Sequence, residues 1–145
     1  MQATARRWAT FVALGLLFTL PGAASAAGPC DLLTLEEIAQ VLGNPVSPTP
    51  VGTTGCMWKG SPQYVSIVQR PASAWGRIIM PVPGVTKTDV SGIGDEASLS
   101  GMQNIWTLSV KQGNSVIVLT VYGAKSPDQQ RSSEESLARL ALKHL

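Results

Sequence analysis

The chain has 145 residues, 11 of them Lys or Arg and 9 Asp or Glu, with two cysteines and one histidine. Arg6 and Arg7 fall in an N-terminal leader, so the rest carries 9 residues of each sign, which excludes an electrostatic case for nucleic acid or an anionic membrane surface as partner. His144 is expected to fray with the chain end, which removes the base of Ser-His-Asp and Cys-His sets, and two cysteines without histidine partners make a poor metal site.

Residues 1–26 read as a cleavable signal peptide: a basic Arg6-Arg7, the apolar run "FVALGLLFTL", and the small-residue cleavage site Ala24-Ser25-Ala26. The apolar run is shorter than the roughly 20 residues of a membrane span, and Pro21-Gly22 ends it. Residues 27–145 are expected to form one small domain, exported to the periplasm or beyond, with no stable membrane anchor after cleavage. Phe11 and Phe18 lie in the leader, so the core must draw on Val, Ile and Leu with Trp58, Trp75, Trp106, Tyr64 and Tyr122. Pro29 directly before Cys30, and a conventional cleavage site upstream, argue against lipidation. In an oxidising compartment an even pair is most simply a disulfide, so Cys30 and Cys56 are expected to be bridged.

Leu33 to Gly43 carries a helix signature. Thr34 and Glu37 form a capping box, Leu33 staples against Ile38, and Leu35, Ile38, Val41 and Leu42 make the apolar stripe. Gly43 supplies the C-cap and Pro45 blocks continuation. The following "NPVSPTPVGTTG" is expected to be irregular, with Val46 and Val51 able to pack. "CMWKG" and "YVSIVQR" read as strands joined by Gly60-Ser61-Pro62-Gln63, with Cys56 and Trp58 on one face.

"PASAWGRIIMPVPGVTK" holds too much Pro and Gly for a long helix or central strand, and Ser73 to Met80 is expected to be a helical turn or a loop. Trp75, Arg77 and Met80 make it a candidate binding loop, since Trp and Arg are enriched at binding hot spots. The competing expectation is that Trp75, Ile78 and Ile79 pack over the sheet edge. In "SGIGDEA", Gly92 and Gly94 mark a turn. Asp95 and Glu96, adjacent on an extended segment, should point to opposite sides, which disfavours joint acid/base work and favours a solvated or capping carboxylate. Gly92-Ile93-Gly94 lacks the third glycine of a dinucleotide turn, and the segment lacks the oxygen ligands of a calcium loop, so no cofactor or metal is expected. Glu96 to Leu99 reads as a short strand.

The strongest strand signal is "NIWTLSVKQGNSVIVLTVYG", with Gly113-Asn114 as a two-residue hairpin turn. That register faces Val110 with Ile117, Leu108 with Leu119 and Trp106 with Val121, an apolar face. The other face pairs Lys111 with Val116, Ser109 with Val118, Thr107 with Thr120 and Ile105 with Tyr122. Thr107, Ser109 and Lys111 are expected to stay wet. The last segment offers two helix starts, Ser126-Pro127 or Ser132 with Glu135. The order predicts an α+β fold: an antiparallel sheet with the N-terminal and C-terminal helices packed on one face, and one disulfide.

Together "CDLLTLEEIAQVLG", "CMWKG", "SGIGDEA" and the hairpin resemble a broad group of uncharacterised bacterial exported proteins, many of them actinobacterial lipoproteins with a domain of unknown function. The resemblance spans nearly all of residues 27–145 through short motifs. It implies the α+β fold and the Cys30–Cys56 bridge and carries no catalytic residues; this chain lacks the lipobox of the lipoprotein members. The expected role is therefore a non-catalytic binding or interaction module for an envelope or extracellular protein or a small ligand. The alternatives are an inhibitor of an exported enzyme acting through a protruding loop, or a small hydrolase using Asp95 or Glu96.

Overall fold

Thr34 starts the first helix as its neighbours predict. Its hydroxyl accepts the Glu37 N–H at 3.2 Å while the Glu37 carboxylate accepts the Thr34 N–H at 2.8 Å, and helix α1 runs over Leu35–Leu42. Gly43 closes it at φ 78°, a left-handed conformation that glycine adopts without a Cβ penalty. The stripe differs from the expected one at its start. Leu32 and Leu33 are buried before the helix, and Leu35 is 44% exposed. The computed structural model describes residues 27–44, 46–103 and 105–145. The expected signal peptide, residues 1–26, lies outside the described residues, as does Pro45.

Seven strands follow: β1 (Pro48–Val51), β2 (Gly55–Lys59), β3 (Tyr64–Pro71), β4 (Thr86–Asp89), β5 (Glu96–Met102), β6 (Ile105–Gln112) and β7 (Ser115–Tyr122). They form one antiparallel sheet in the order β1-β2-β3-β7-β6-β5-β4. Two meanders, β1–β3 and β4–β7, are thus joined where β3 pairs with β7 from Tyr64–Tyr122 to Pro71–Ser115. The segment expected to be irregular contains the edge strand β1. Its Pro48 and Pro50 are compatible with an edge, where a missing N–H costs no ladder bond. Val51, expected to pack, is 49% exposed for the same reason. Edge strand β4 has no counterpart in the sequence reading.

Helix α3 (Pro127–Ala141) takes the first of the two possible starts, with the Ser126 hydroxyl accepting the Gln129 N–H at 3.2 Å and Pro127 in the first turn. It lies over β6 and β7, and α1 packs beside it and against β3. Both helices therefore cover one sheet face. That face contributes Cys56, Trp58, Val65, Ile67, Leu119, Val121, Leu108 and Val110 to the core, all 1% exposed or less. Full burial of each large aliphatic side chain contributes about 1.5–3 kcal/mol. The hairpin register matches the predicted one from Gln112–Ser115 to Leu108–Leu119. Trp106 lies over Gly101 on β5, where a Cβ would sit 2.3 Å from the indole, so only glycine fits beneath that ring. The Cys30–Cys56 disulfide ties the turn before α1 to β2.

Among the described residues no long helix lies on the second face. A 3-10 turn (Ala72–Ala74) and a four-residue helix, α2 (Trp75–Ile78), cross it instead. The crossing begins at the β6–β7 turn, where the Ala72 N–H meets the Asn114 carbonyl at 2.9 Å. It passes β5 at Glu96 and ends at Lys87 on β4. Val116, Ser98 and Ser109 point to this face by register and are buried there. Ser109 was expected to be wet; its burial follows from a small side chain lying where the segment crosses.

Candidate functional site

Of the candidate residues of the sequence, Trp75, Gly92, Gly94, Asp95 and Glu96 fall into one cluster around Lys111 and the β6–β7 turn, while Arg77 and Met80 lie on the exposed segment beyond it. Gly92 (φ 75°) and Gly94 (φ 60°) form the turn entering β5. A Cβ on Gly94 would lie 2.6 Å from the Lys111 carbonyl and 2.5 Å from Val110, so the backbones pack here without room for a side chain. Asp95 uses this proximity: its N–H donates to the Lys111 carbonyl at 2.8 Å, and its carboxylate accepts the Gly113 N–H at 2.7 Å. It is a capping carboxylate holding the β6–β7 turn. Arg139 of α3 donates to the Gly92 carbonyl, tying the turn to the helical layer.

Glu96, next in the chain, points the other way, as alternation requires. Its Oε1 meets Lys111 Nζ at 2.6 Å, and its Oε2 accepts the Trp75 indole N–H at 2.8 Å. The Lys111 hydrogen bond, then that of Trp75, hold this carboxyl below its ordinary value of 4.5. It is ionised at neutral pH with both oxygens engaged, the opposite of a general acid. Trp75 and Glu96, nominated for separate reasons, are thus one unit. Trp75 is 8% exposed, so the packing expectation describes it better than the contact expectation. Asp89, which the sequence did not single out, lines the same hollow of about 320 Å³ as Trp75 and Glu96.

From this anchor the chain runs into an exposed loop. Lys87 Nζ donates to the carbonyls of Ile78, at 2.9 Å, and of Met80. The Val85 N–H meets the Val82 carbonyl at 3.1 Å around Pro83-Gly84, with Gly84 at φ 80°, a type II turn. Pro81 and Pro83 fix two more φ angles. Met80 (53%) and Val82 (52%) stand exposed on this braced loop, with Arg77 exposed at its base.

A second feature escaped the sequence reading. The predicted pairing Trp106–Val121 is absent: the ladder stops at Leu108–Leu119. The two-residue turn makes Gln112–Ser115 a hydrogen-bonded pair, and alternation gives Val110–Ile117, Leu108–Leu119 and then Trp106–Val121 the same class. Two side chains of α3 take over that missing bond. Gln130 donates to the Trp106 carbonyl at 3.1 Å and to Glu134 Oε1 at 3.2 Å, and Glu134 Oε1 accepts the Val121 N–H at 3.1 Å. Beyond this wedge a cleft of about 490 Å³ opens between Ile105 and Tyr122. The signal was present: Gln130 and Glu134 continue, with helical spacing, the inner stripe of Leu137, Ala138 and Ala141.

Glu134 is fully buried, and its Oε2 has no partner among the described residues. Burial pushes its carboxyl up from 4.5 to about 7, although the bonds from Val121 and Gln130 pull the other way. The folded state therefore holds a proton that the unfolded chain releases near pH 4.5. This contribution is complete below that pH and is lost as pH rises through about 7. Such a rise corresponds to about 3 kcal/mol. Urea denaturation should show stability declining by up to that amount between about pH 4.5 and 7, and Glu134→Gln should remove most of the decline. An unchanged pH profile in the variant would assign the decline elsewhere.

No family model, no curated protein and no solved structure matches the chain.

Proposed function

We propose that this protein is a non-catalytic binding module of the bacterial envelope that recognises an exported protein through the loop Met80–Gly84. The observation that carries this reading is the bracing of an exposed apolar loop by Trp75–Glu96–Lys111 on one side and Lys87 on the other. A loop held in its bound shape loses little conformational entropy on association, so its contact area converts to affinity more fully. The disulfide is compatible with an oxidising location, and among the described residues no helix is long and apolar enough to cross a membrane. The occupied oxygens of Glu96 and the turn-bound Asp95 favour binding over a carboxylate hydrolase. The inhibitor reading uses the same loop, with the partner's groove then being an active site.

The test is affinity capture from envelope extract with wild-type protein and with the double variant Met80→Ser/Val82→Ser. Both positions are exposed, so the melting temperature should hold while the captured partner is lost, each side chain contributing about 1 kcal/mol or more of affinity. Retention of the same partner by the double variant would overturn the assignment.

A further inference from the structure

At the end of β3 the sheet order brings together two turns that are 60 residues apart in the chain. β3 lies between β2 and β7, so the β1–β2 turn, with Thr53 and Thr54, and the β6–β7 turn, with Asn114 and Ser115, flank Gln69 and Arg70 from opposite sides. The hollow between them measures about 250 Å³. Its wall holds one cation, Arg70, and no acid. Its other polar side chains are the hydroxyls of Thr53, Thr54 and Ser115 and the carboxamides of Gln69 and Asn114.

The hollow is built rather than incidental. The Gln69 N–H donates to the Thr54 carbonyl at 2.7 Å, fixing the first turn on β3, and the Asn114 carbonyl is held by Ala72. Arg70 Nη1 donates to Thr54 Oγ1 at 2.7 Å. That bond orients the guanidinium without neutralising it: the Thr54 hydroxyl, having accepted, keeps its own proton to donate onward, and the remaining guanidinium N–H groups stay available. Among the described residues the ion pairs are Lys111–Glu96 and Arg131–Glu135, so none of their carboxylates pairs with Arg70. Elsewhere on this face Lys111 is matched with Glu96 and Lys87 with two carbonyls. Arg70, like Lys59 and Arg77, has no carboxylate partner among the described residues, and of these three it is Arg70 that lines the hollow.

We infer that this hollow is an oxyanion-binding site, independent of the Met80–Gly84 loop, in which Arg70 forms a bidentate pair with a carboxylate or phosphate while the hydroxyls and carboxamides donate to the lone pairs left on its oxygens. A planar fork beside neutral donors, with no acid among the residues that line the hollow, complements such a group both in charge and in shape. The volume admits the anionic head of a ligand and leaves its body in solvent.

The probes are sodium phosphate and sodium acetate, each titrated into isotope-labelled protein against sodium chloride at matched ionic strength, with backbone amide shifts as the readout. Thr53, Thr54, Asn114 and Ser115 should shift saturably with at least one of the two. Saturation by phosphate alone assigns a phosphate ligand, and saturation by acetate alone a carboxylate ligand. Arg70→Gln, which keeps a hydrogen-bonding side chain at an exposed position, should weaken the response about tenfold or more. Arg70→Lys keeps the charge but not the fork and should fall between the two. Should Arg70→Gln disturb folding, Thr53→Val, also at an exposed position, supplies the same comparison through a lost donor. Shifts that track chloride, or a response unaltered in well-folded Arg70 and Thr53 variants, would overturn the site.

Discussion

Trp75→Ala should lower the unfolding free energy by about 3–5 kcal/mol, the range for truncating a buried tryptophan. The indole is 8% exposed and is part of the segment crossing the second sheet face, where Val116, Ser98 and Ser109 are buried. Its removal leaves a cavity that those small neighbours cannot fill, and it takes one of the two donors from Glu96. Trp75→Phe separates the two contributions. It keeps most of the packing and deletes the indole hydrogen bond, so it should cost only about 1 kcal/mol. Urea denaturation of both variants at neutral pH is the measurement. A loss below about 1 kcal/mol for Trp75→Ala would place the ring outside the packed layer and return it to the contact surface. Because Trp75 anchors the base of the Met80–Gly84 loop, the alanine variant should also bind the proposed partner less well. The serine double variant, by contrast, should separate binding from stability.

Removing the Cys30–Cys56 bridge should cost about 2–5 kcal/mol. The two residues are separated by 26 positions, and closing a loop of that size limits the unfolded ensemble by about 3.5 kcal/mol. In a domain this small that is a large share of the roughly 5–15 kcal/mol that separates folded from unfolded states. The double variant Cys30→Ala/Cys56→Ala is the cleaner comparison, because Cys56 is 1% exposed and a serine would bury a new hydroxyl beside Ile67. The melting temperature should fall by roughly 10–20 °C. The native protein should show no thiol open to alkylation before reduction. A double variant as stable as the oxidised protein would mean that the bridge restrains a segment already loose in the fold.

The parts legible in the sequence are those governed by neighbours along the chain. Thr34 with Glu37, and Gly43 after the last turn, delimit α1 because capping groups lie within four residues of the backbone they satisfy. The Gly113-Asn114 turn and the alternation around it set the hairpin register, because slipping by one position would move Leu108, Val110, Ile117 and Leu119 to the wrong face. The disulfide followed from two cysteines and a compartment rather than from any geometry.

Tertiary structure decided what depends on distant partners. Strands β1 and β4 exist because β2 and β5 offer an open ladder to segments of weak intrinsic preference. Trp75 became an anchor because Glu96, 21 residues later, lies beneath it, and Ser109 became buried because the segment passes overhead. The predicted register ended early because Gln130 and Glu134 of α3 compete for the Trp106 carbonyl and the Val121 N–H. Arg70, an ordinary strand terminus in the sequence, acquired its ring of donors from two turns that only the sheet order brings together. Periodicity and turn chemistry are read from neighbouring residues and carry no information about which distant segment will compete for a hydrogen bond; that depends on how the two meanders join and where α3 lies across them.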